Sequence, residues 1–465
     1  MTLEGKMRSM PARLRSFIAA HQAMAGAVLA LAIKGGGAVL MIVVFTLAAR
    51  TMSAAAFGDI AVWFNVLSCL AVAAVFGQEN LIVRSWAEYA TGRRFGLMAG
   101  AYRFGWTTSA AATIVACGAL VVGNRFVNAP LPLPAICAAM AFLAAQSMLH
   151  YSSHSCRTIH NFRVSEFNRE LTWRLVLLLV VALHLHGDLT LTTFFGAAAA
   201  GMCVSIAIQT VATFRSFPAE VAAAPREFAW REWFARARSM CLSASVEAMG
   251  QYAEVILLGF LVAPAAAATY FIAARIANIF AMISSGLNTY TVTQVSTLHF
   301  AGETEGLQHV LRSVMTVVFA LVTPLFILLI IAAAPILSIF GPAYVGGYVP
   351  LVALASASFI ITLSGPGSGI LMITGGERLW SRIAILSLML RVLLMLYLAP
   401  RYGSSGAALG WAIVNAPVAI WVSQLCRTRC GVDPSVLSIF SRWRPATRAA
   451  HHPDAAFAPS RILDN

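Results

Sequence analysis

Twelve predominantly apolar stretches, each long enough to cross a bilayer, divide this chain. About 20 consecutive apolar residues span the hydrocarbon core as a helix. In lipid every backbone donor and acceptor must be satisfied within the structure, so such a pattern folds as a bundle of membrane helices. The predicted spans are 25–49, 57–77, 97–122, 133–151, 168–186, 189–214, 240–262, 266–298, 310–331, 349–374, 379–399 and 406–426. The fifth is the weakest, with Arg174 near its start and His184 and His186 near its end. The eighth exceeds the bilayer and is predicted to project on the inner side. Of the 465 residues 59% are hydrophobic and 11% charged, against about 25% charged in a soluble domain. The predicted class is an all-α polytopic membrane protein.

The net charge of +14 would suit a nucleic-acid partner if it were clustered, but almost all of it lies between the apolar stretches. That is the pattern of membrane topology, not of nucleic-acid binding. With the N-terminus in the cytoplasm, only Arg50, Arg125 and Arg401 fall in outer loops. Both termini are therefore predicted to be cytoplasmic. Arginine dominates the basic residues, with Lys6 and Lys34 the two lysines, and alanine is abundant. This composition points to a GC-rich bacterial genome and hence to the bacterial inner membrane. The basic segment before the first span is predicted to lie along the membrane surface, with the first helix uncleaved.

The outer loops are short and leave no domain for water-phase chemistry; the longest includes 340–348. The longest inner connection, 215–239, carries five arginines and two prolines at the midpoint of the chain. It divides the chain into an N-terminal lobe, 1–214, and a C-terminal lobe, 240–426, of six spans each. A basic tail, 427–465, follows and is predicted to be disordered against anionic lipid. The second half of the connection reads as an amphipathic interfacial helix anchored by Trp230 and Trp233. "AAAFGDIAVWF" opening span two and "AAAATYFIAARI" opening span eight hint at an internal repeat.

Charges inside spans are costly, about 2.5–3.5 kcal/mol each on insertion scales, and so default to functional candidates. Lys34, Arg275 and Arg391 lie near mid-depth, and Arg103 lies closer to the inner side, where it can also snorkel. Glu247, Gln251 and Glu254 form a polar stripe on span seven, with the two carboxylates about 10.5 Å apart along the axis. That stripe reads as an ion-coupling or sugar-contacting site, or as a structural partner for Arg275. The surplus of cations over anions suits a ligand with about two negative charges, such as a diphosphate. Gly35, Gly36 and Gly37 follow Lys34, and Gly365, Pro366 and Gly367 interrupt span ten; both runs are predicted helix breaks. Glu166 and Glu170 read as solvated helix-end charges. The eight cysteines read as free thiols, and Cys426, Cys430, His451 and His452 match no zinc spacing. No phosphate loop, zincin pair or nucleophile elbow is present, so no catalytic residue, cofactor or metal is predicted.

Three segments carry a family resemblance: "GQYAEVILLGFLVAPAAAATYFIAARIANIF", "GPGSGILMITGGERL" and "PRYGSSGAALGWAIVNA". With "LAARTMSAAAFGDIAVW", and in this order on twelve spans, they resemble the polysaccharide-synthesis flippases of the multidrug/oligosaccharidyl-lipid/polysaccharide (MOP) exporter superfamily. The resemblance covers about residues 25–426. Ala268 stands where a glycine commonly precedes the aromatic residue.

The resemblance implies two six-helix bundles forming a V around a central cavity that works by alternating access. The implied substrate is an oligosaccharide linked to a polyprenyl diphosphate, moved from the cytoplasmic to the outer leaflet for exopolysaccharide, O-antigen or capsule synthesis. It also implies basic residues on the first and eighth helices, which here are Lys34 and Arg275, and an acid or polar residue at Glu254. Implied partners are membrane lipids and the polysaccharide polymerase and chain-length machinery. Three other readings stay open at this point: a drug/cation antiporter of the same superfamily, a membrane glycan polymerase or ligase, and a non-transporting partner of a synthesis complex.

Overall fold

The computed structural model describes residues 12–126, 130–185, 189–300, 304–374 and 376–440. Among them the chain is helical throughout, without a strand. The helices are α1 (Ala12–Thr51), α2 (Ala54–Ala74), α3 (Gln78–Thr91), α4 (Phe95–Asn124), α5 (Leu133–Ile159), α6 (Phe162–Phe167), α7 (Trp173–Leu183), α8 (Leu191–Arg215) and α9 (Ala219–Ala223). They continue as α10 (Trp230–Leu261), α11 (Pro264–Phe300), α12 (Thr304–Ile331), α13 (Ala333–Phe340), α14 (Tyr348–Leu363), α15 (Gly367–Ile373), α16 (Glu377–Leu425) and α17 (Leu437–Phe440). Side-chain caps begin several of them: Ser53, Asn161 and Thr190 each accept from a backbone N–H three residues on.

Every predicted span falls on helix, and nine stretches among the described residues are long and apolar enough to cross a membrane. The difference from twelve has physical causes. The fifth span is carried by α7, only 11 residues long, after a π-turn at Asn168–Thr172. α10 is too polar along its length. Spans eleven and twelve are fused in α16, which bends at Gly403 (φ 56°, ψ −136°). Exposed apolar side chains such as Ile114, Val115, Leu133 and Ile331 would be untenable in water over such an area and suit contact with acyl chains.

The chain separates into two compact units. The first comprises Met1–Ile276, Ala332–Leu351 and Val392–Ala408; the second comprises Ala277–Ile331, Val352–Arg391 and Leu409–Asn465. The midpoint division expected from the sequence, 1–214 against 240–426, is not the one these units follow. Glycines explain the difference. Gly259 of α10 receives the Val62 side chain of α2, and Gly77 lies against the Ala237 carbonyl and the Cys241 amide of α10. With no Cβ at these points, α10 zips along α2 and joins the first unit.

The inner connection also differs from expectation. Its chain docks on α4, where the Glu227 amide donates to the Gly96 carbonyl (3.1 Å) and Gly96 and Gly100 make room for the backbone of Pro225 and Glu227. Trp233 is no interfacial anchor. It is fully buried among Tyr89, Met98, Phe104 and Tyr151, and its Nε1 donates to the Tyr89 hydroxyl (2.8 Å). Trp230, 55% exposed, remains at the rim and stacks on Phe228. Residues from Trp230 onward simply extend α10.

Elsewhere in the first unit, α5 and α8 are clamped by Gln209. Its Oε1 accepts from the Ser152 and Ser153 hydroxyls, and its Nε2 donates to the Ser165 carbonyl (3.0 Å). Small residues at the interface and a shared polar group are how membrane helices are held together without a hydrophobic driving force. The expected glycine break after Lys34 is absent: α1 runs unbroken from Ala12 to Thr51. Gly37 instead lets the π-turn approach, since a Cβ there would lie 2.6 Å from Arg174 Nη1 and 2.9 Å from the Glu170 carbonyl. The continuous helix also means that residues 12–24 do not turn off along the surface.

The second unit is organised by the glycine–proline run of span ten, which does break its helix. α14 stops at Leu363, Gly365 takes a left-handed φ of 76°, and α15 starts at Gly367. Pro434 fills the space beside Gly365. Residues after α16 fold back rather than trailing away. Gln308 exchanges two hydrogen bonds with the Asp433 backbone (2.7 and 3.0 Å), and Arg312 donates to the Ser438 carbonyl (2.8 Å). The tail expected to be disordered from 427 is therefore ordered to Phe440. Its remainder, with His451 and His452, lies outside the described residues, as does the stretch before Ala12.

Candidate functional site

The site is built on α1, the π-turn, α10 and the part of α11 up to Ile276, all within the first unit. On α1 the residues facing protein are Ile33, Gly37, Met41, Val44, Phe45 and Ala48, while Ala32, Gly36, Val39 and Val43 form the opposite, outward stripe. Lys34 falls at the angular position of Met41 and Phe45 on this wheel. It is nevertheless exposed. Its side chain is uncovered on the stripe that packs against protein further along the helix. Phe45 lies on the same face, roughly 16 Å further along the axis.

Phe45 leads to Arg275. The Arg275 guanidinium stands over the Phe271 ring at 4.8 Å and over Phe45 and Phe64 at 6.0 Å each. The rings meet edge to face, with Phe45 and Phe271 centroids 4.8 Å apart and Phe45 and Phe64 5.6 Å apart. Three aromatic faces hold a half-buried cation in place without neutralising it. Its charged and titratable neighbours are Tyr252 of α10 and Arg174. Arg174 is itself satisfied by Glu170, whose carboxylate lies 2.6 Å away. Among the described residues Lys34 and Arg275 form no ion pair with a carboxylate.

The other predicted residues separate. Arg103 is exposed on the stripe of α4 that also carries Thr107, Ala110 and Ile114. That whole face is exposed, which suits the snorkelling alternative. Arg391 is buried in the second unit. Glu254 is buried and engaged within the protein. Glu247 and Gln251 line a cavity of about 240 Å³ in the first unit, together with Glu79, Asn80, His150 and His154. The last four were not singled out from the sequence. The available signal was a histidine pair four residues apart at the end of span four, and an acid just past the end of span two.

Glu166 and Glu170, expected to be solvated, are not. Glu166 is buried against Arg157 (3.6 Å) and Arg169 (4.0 Å), and Glu170 holds Arg169 and Arg174. The π-turn wraps the chain so that three arginines share two carboxylates within the fold. At the inner end, outside the spans, Arg236 bridges Glu88 (2.9 Å) and Glu232. The Glu88 bond raises the Arg236 pKa above its ordinary value. No group of metal-binding side chains occurs among the described residues.

Several solved structures share this architecture. A multidrug resistance MATE family transporter of the MOP superfamily, in its inward-facing conformation, matches with a TM-score of 0.64 at 12% identity, over 87% of this chain and 98% of that one. The lipid II flippase MurJ, in an inward closed conformation, matches with a TM-score of 0.66 at 11% identity, over 86% and 87%. A MOP superfamily transporter from Pyrococcus furiosus, described as having a binding pocket of reversed polarity, gives 0.56 at 13% identity, over 86% and 95%. No family model and no curated protein matches the sequence. The chain thus has the fold of MOP superfamily transporters, a fold that the structural neighbours use for transport and lipid flipping.

Proposed function

We propose that the chain is a flippase that moves a polyprenyl-diphosphate-linked oligosaccharide from the inner to the outer leaflet of a bacterial cytoplasmic membrane, for surface polysaccharide synthesis. The observation that carries this reading is the pair Lys34 and Arg275. Lys34 lies on the protein-facing stripe of α1 and Arg275 on α11 over the Phe45 and Phe271 rings, and neither is neutralised by a carboxylate among the described residues. A diphosphate supplies the missing charge. The sugars exchange water for polar groups in the interior, where the cost is far below that of crossing hydrocarbon. The polyprenyl tail needs no site, since lipid already solvates it. An antiporter for organic cations would place acids where this chain places Lys34 and Arg275. The fold itself tolerates either polarity, as the Pyrococcus furiosus protein illustrates by its description.

The test is complementation. Cells lacking the native gene are supplied with wild type, Lys34→Ala, Arg275→Ala or Arg103→Ala, with membrane levels checked by immunoblot. Surface glycan is expected to fall at least tenfold for the first two variants and to hold for the third. Normal export by well-expressed Lys34→Ala and Arg275→Ala removes the cationic site, and cation-drug resistance conferred by wild type would favour the antiporter.

A further inference from the structure

The cavity between α3, α5 and α10 plays no part in holding a diphosphate, and its chemistry is of a different kind. Its lining brings together Glu79 and Asn80 of α3, His150 and His154 of α5, and Glu247 and Gln251 of α10. Glu79 is 8% exposed, and its Oε2 has no hydrogen-bond partner. A buried carboxylate oxygen without a donor is unfavourable when ionised and unremarkable when protonated. His154 Nδ1 lies 2.9 Å from the His150 carbonyl, which can only accept, so Nδ1 carries the hydrogen and Nε2 keeps a lone pair for a second proton. The cation whose field reaches Glu79 and both histidines is Arg169, already held by Glu166 and Glu170. Cys241 of α10 also faces Glu79.

The backbone points to the same place. Phe76 and Gly77 take successive left-handed conformations (φ 54° and 68°) between α2 and α3, which is uncommon for a phenylalanine. This break turns Glu79 into the cavity. α10 presses on it, with the Ala237 carbonyl and the Cys241 amide filling the space beside Gly77.

We propose that this cavity is a proton-exchange site in which Glu79 is the carboxylate that gains and loses charge, with His154 relaying the proton and Glu247 as its counter-acid on α10. The step is a simple proton transfer: a proton from inner-side water reaches His154 Nε2, passes to Glu79 and leaves by the reverse route, with no other bond made or broken. Two carboxylates in one small cavity repel when both are ionised. A proton on Glu79 removes that repulsion and holds α10 on the α2–α3 break; its loss loosens the contact. What this proton drives rests on the transport reading above, while the site itself does not.

The experiment is infrared difference spectroscopy of the full chain in nanodiscs, stepped in pH with no ligand but protons. Wild type is expected to show a carboxylic-acid carbonyl band that titrates. The band is lost in Glu79→Gln and kept in Glu254→Gln, and its midpoint moves in Glu247→Gln. His154→Gln is expected to slow proton exchange while leaving the band amplitude intact. A titrating band that survives Glu79→Gln, or no titrating band in wild type, overturns the proposal. Size-exclusion profiles establish that each variant is folded, and Glu79→Asp, which keeps the acid, is expected to restore a band if Glu79→Gln fails to fold. In liposomes, raising the pH on the inner side with the outer side held constant is expected to slow flipping at least threefold in wild type and to leave Glu79→Gln unaffected. Equal slowing in both overturns the coupling. Absence of flipping in wild type defeats the transport reading alone and leaves the infrared titration standing.

Discussion

Exchange of Arg275 separates charge from shape at the centre of the proposed site. Arg275→Gln removes the cation and keeps a polar, shorter side chain. A hydrogen bond to a charged phosphate is worth about 1.5–3 kcal/mol, which corresponds to roughly 10- to 150-fold in affinity. Arg275→Lys keeps the charge but loses the planar group over Phe271, now at 4.8 Å from the ring. That contact is worth about 0.5–2 kcal/mol, or roughly 2- to 30-fold. Affinity should therefore fall in the order wild type, Lys, Gln. The assay is binding of a short-chain polyprenyl diphosphate to purified protein in nanodiscs, with the neutral polyprenol as reference. The polyprenol should bind all three proteins alike, since its hydroxyl carries no charge. Wild-type affinity of Arg275→Gln for the diphosphate, or an equal loss for the polyprenol, refutes the assignment of Arg275 to the diphosphate.

Three further outcomes follow from packing. Trp233→Ala empties the buried site shared with Tyr89 and Phe104 and should cost about 3–5 kcal/mol, read as a lower melting temperature in detergent by scanning fluorimetry. Gln209→Leu removes the clamp between α5 and α8 and should cost about 1–2 kcal/mol; the same melting assay checks it, and an unchanged temperature contradicts the role given to Gln209. Gly365→Ala places a methyl group against the Pro434 carbonyl at a left-handed φ of 76°. Limited proteolysis should then cut between Gly431 and Phe440, a segment that wild type protects.

The membrane helices were legible in the sequence because lipid imposes one rule on every residue of a span. A run of apolar side chains near the right length predicts a helix, and the positions of α4, α5 and α8 follow directly. Contacts between helices were not legible. Gly37 reads as a break in isolation, yet its missing Cβ is used by Arg174 and Glu170, more than a hundred residues away. Trp233 reads as an interfacial anchor because a basic amphipathic segment surrounds it, and only the fold reveals the pocket of Tyr89 that takes its indole. The same holds for the candidate site. Lys34 and Arg275 stood out by cost, one residue at a time. The ring box of Phe45, Phe64 and Phe271 draws on three helices and leaves no periodic trace.

Which cations remain uncompensated decides what the interior can bind. Counting charges along the spans gives four cations, but position removes two of them: Arg103 lies on an exposed face and Arg391 belongs to the second unit. Arg157, Arg169 and Arg174 enter the first unit and each contacts Glu166 or Glu170, three cations on two carboxylates, whereas Lys34 and Arg275 contact none among the described residues. Lys34 and Arg275 are left. A lysine in a dry setting can discard its proton and become neutral, whereas a guanidinium stays charged at any accessible pH. The rings around Arg275 can hold that charge but cannot cancel it, and the anionic ligand of the proposed function would supply the compensating charge. Glu79 presents the opposite case, an acid that a proton alone can neutralise. The two proposals assign a fixed cation and a switchable acid in one unit different work: the first would select an anionic cargo, and the second would change its charge without any cargo at all.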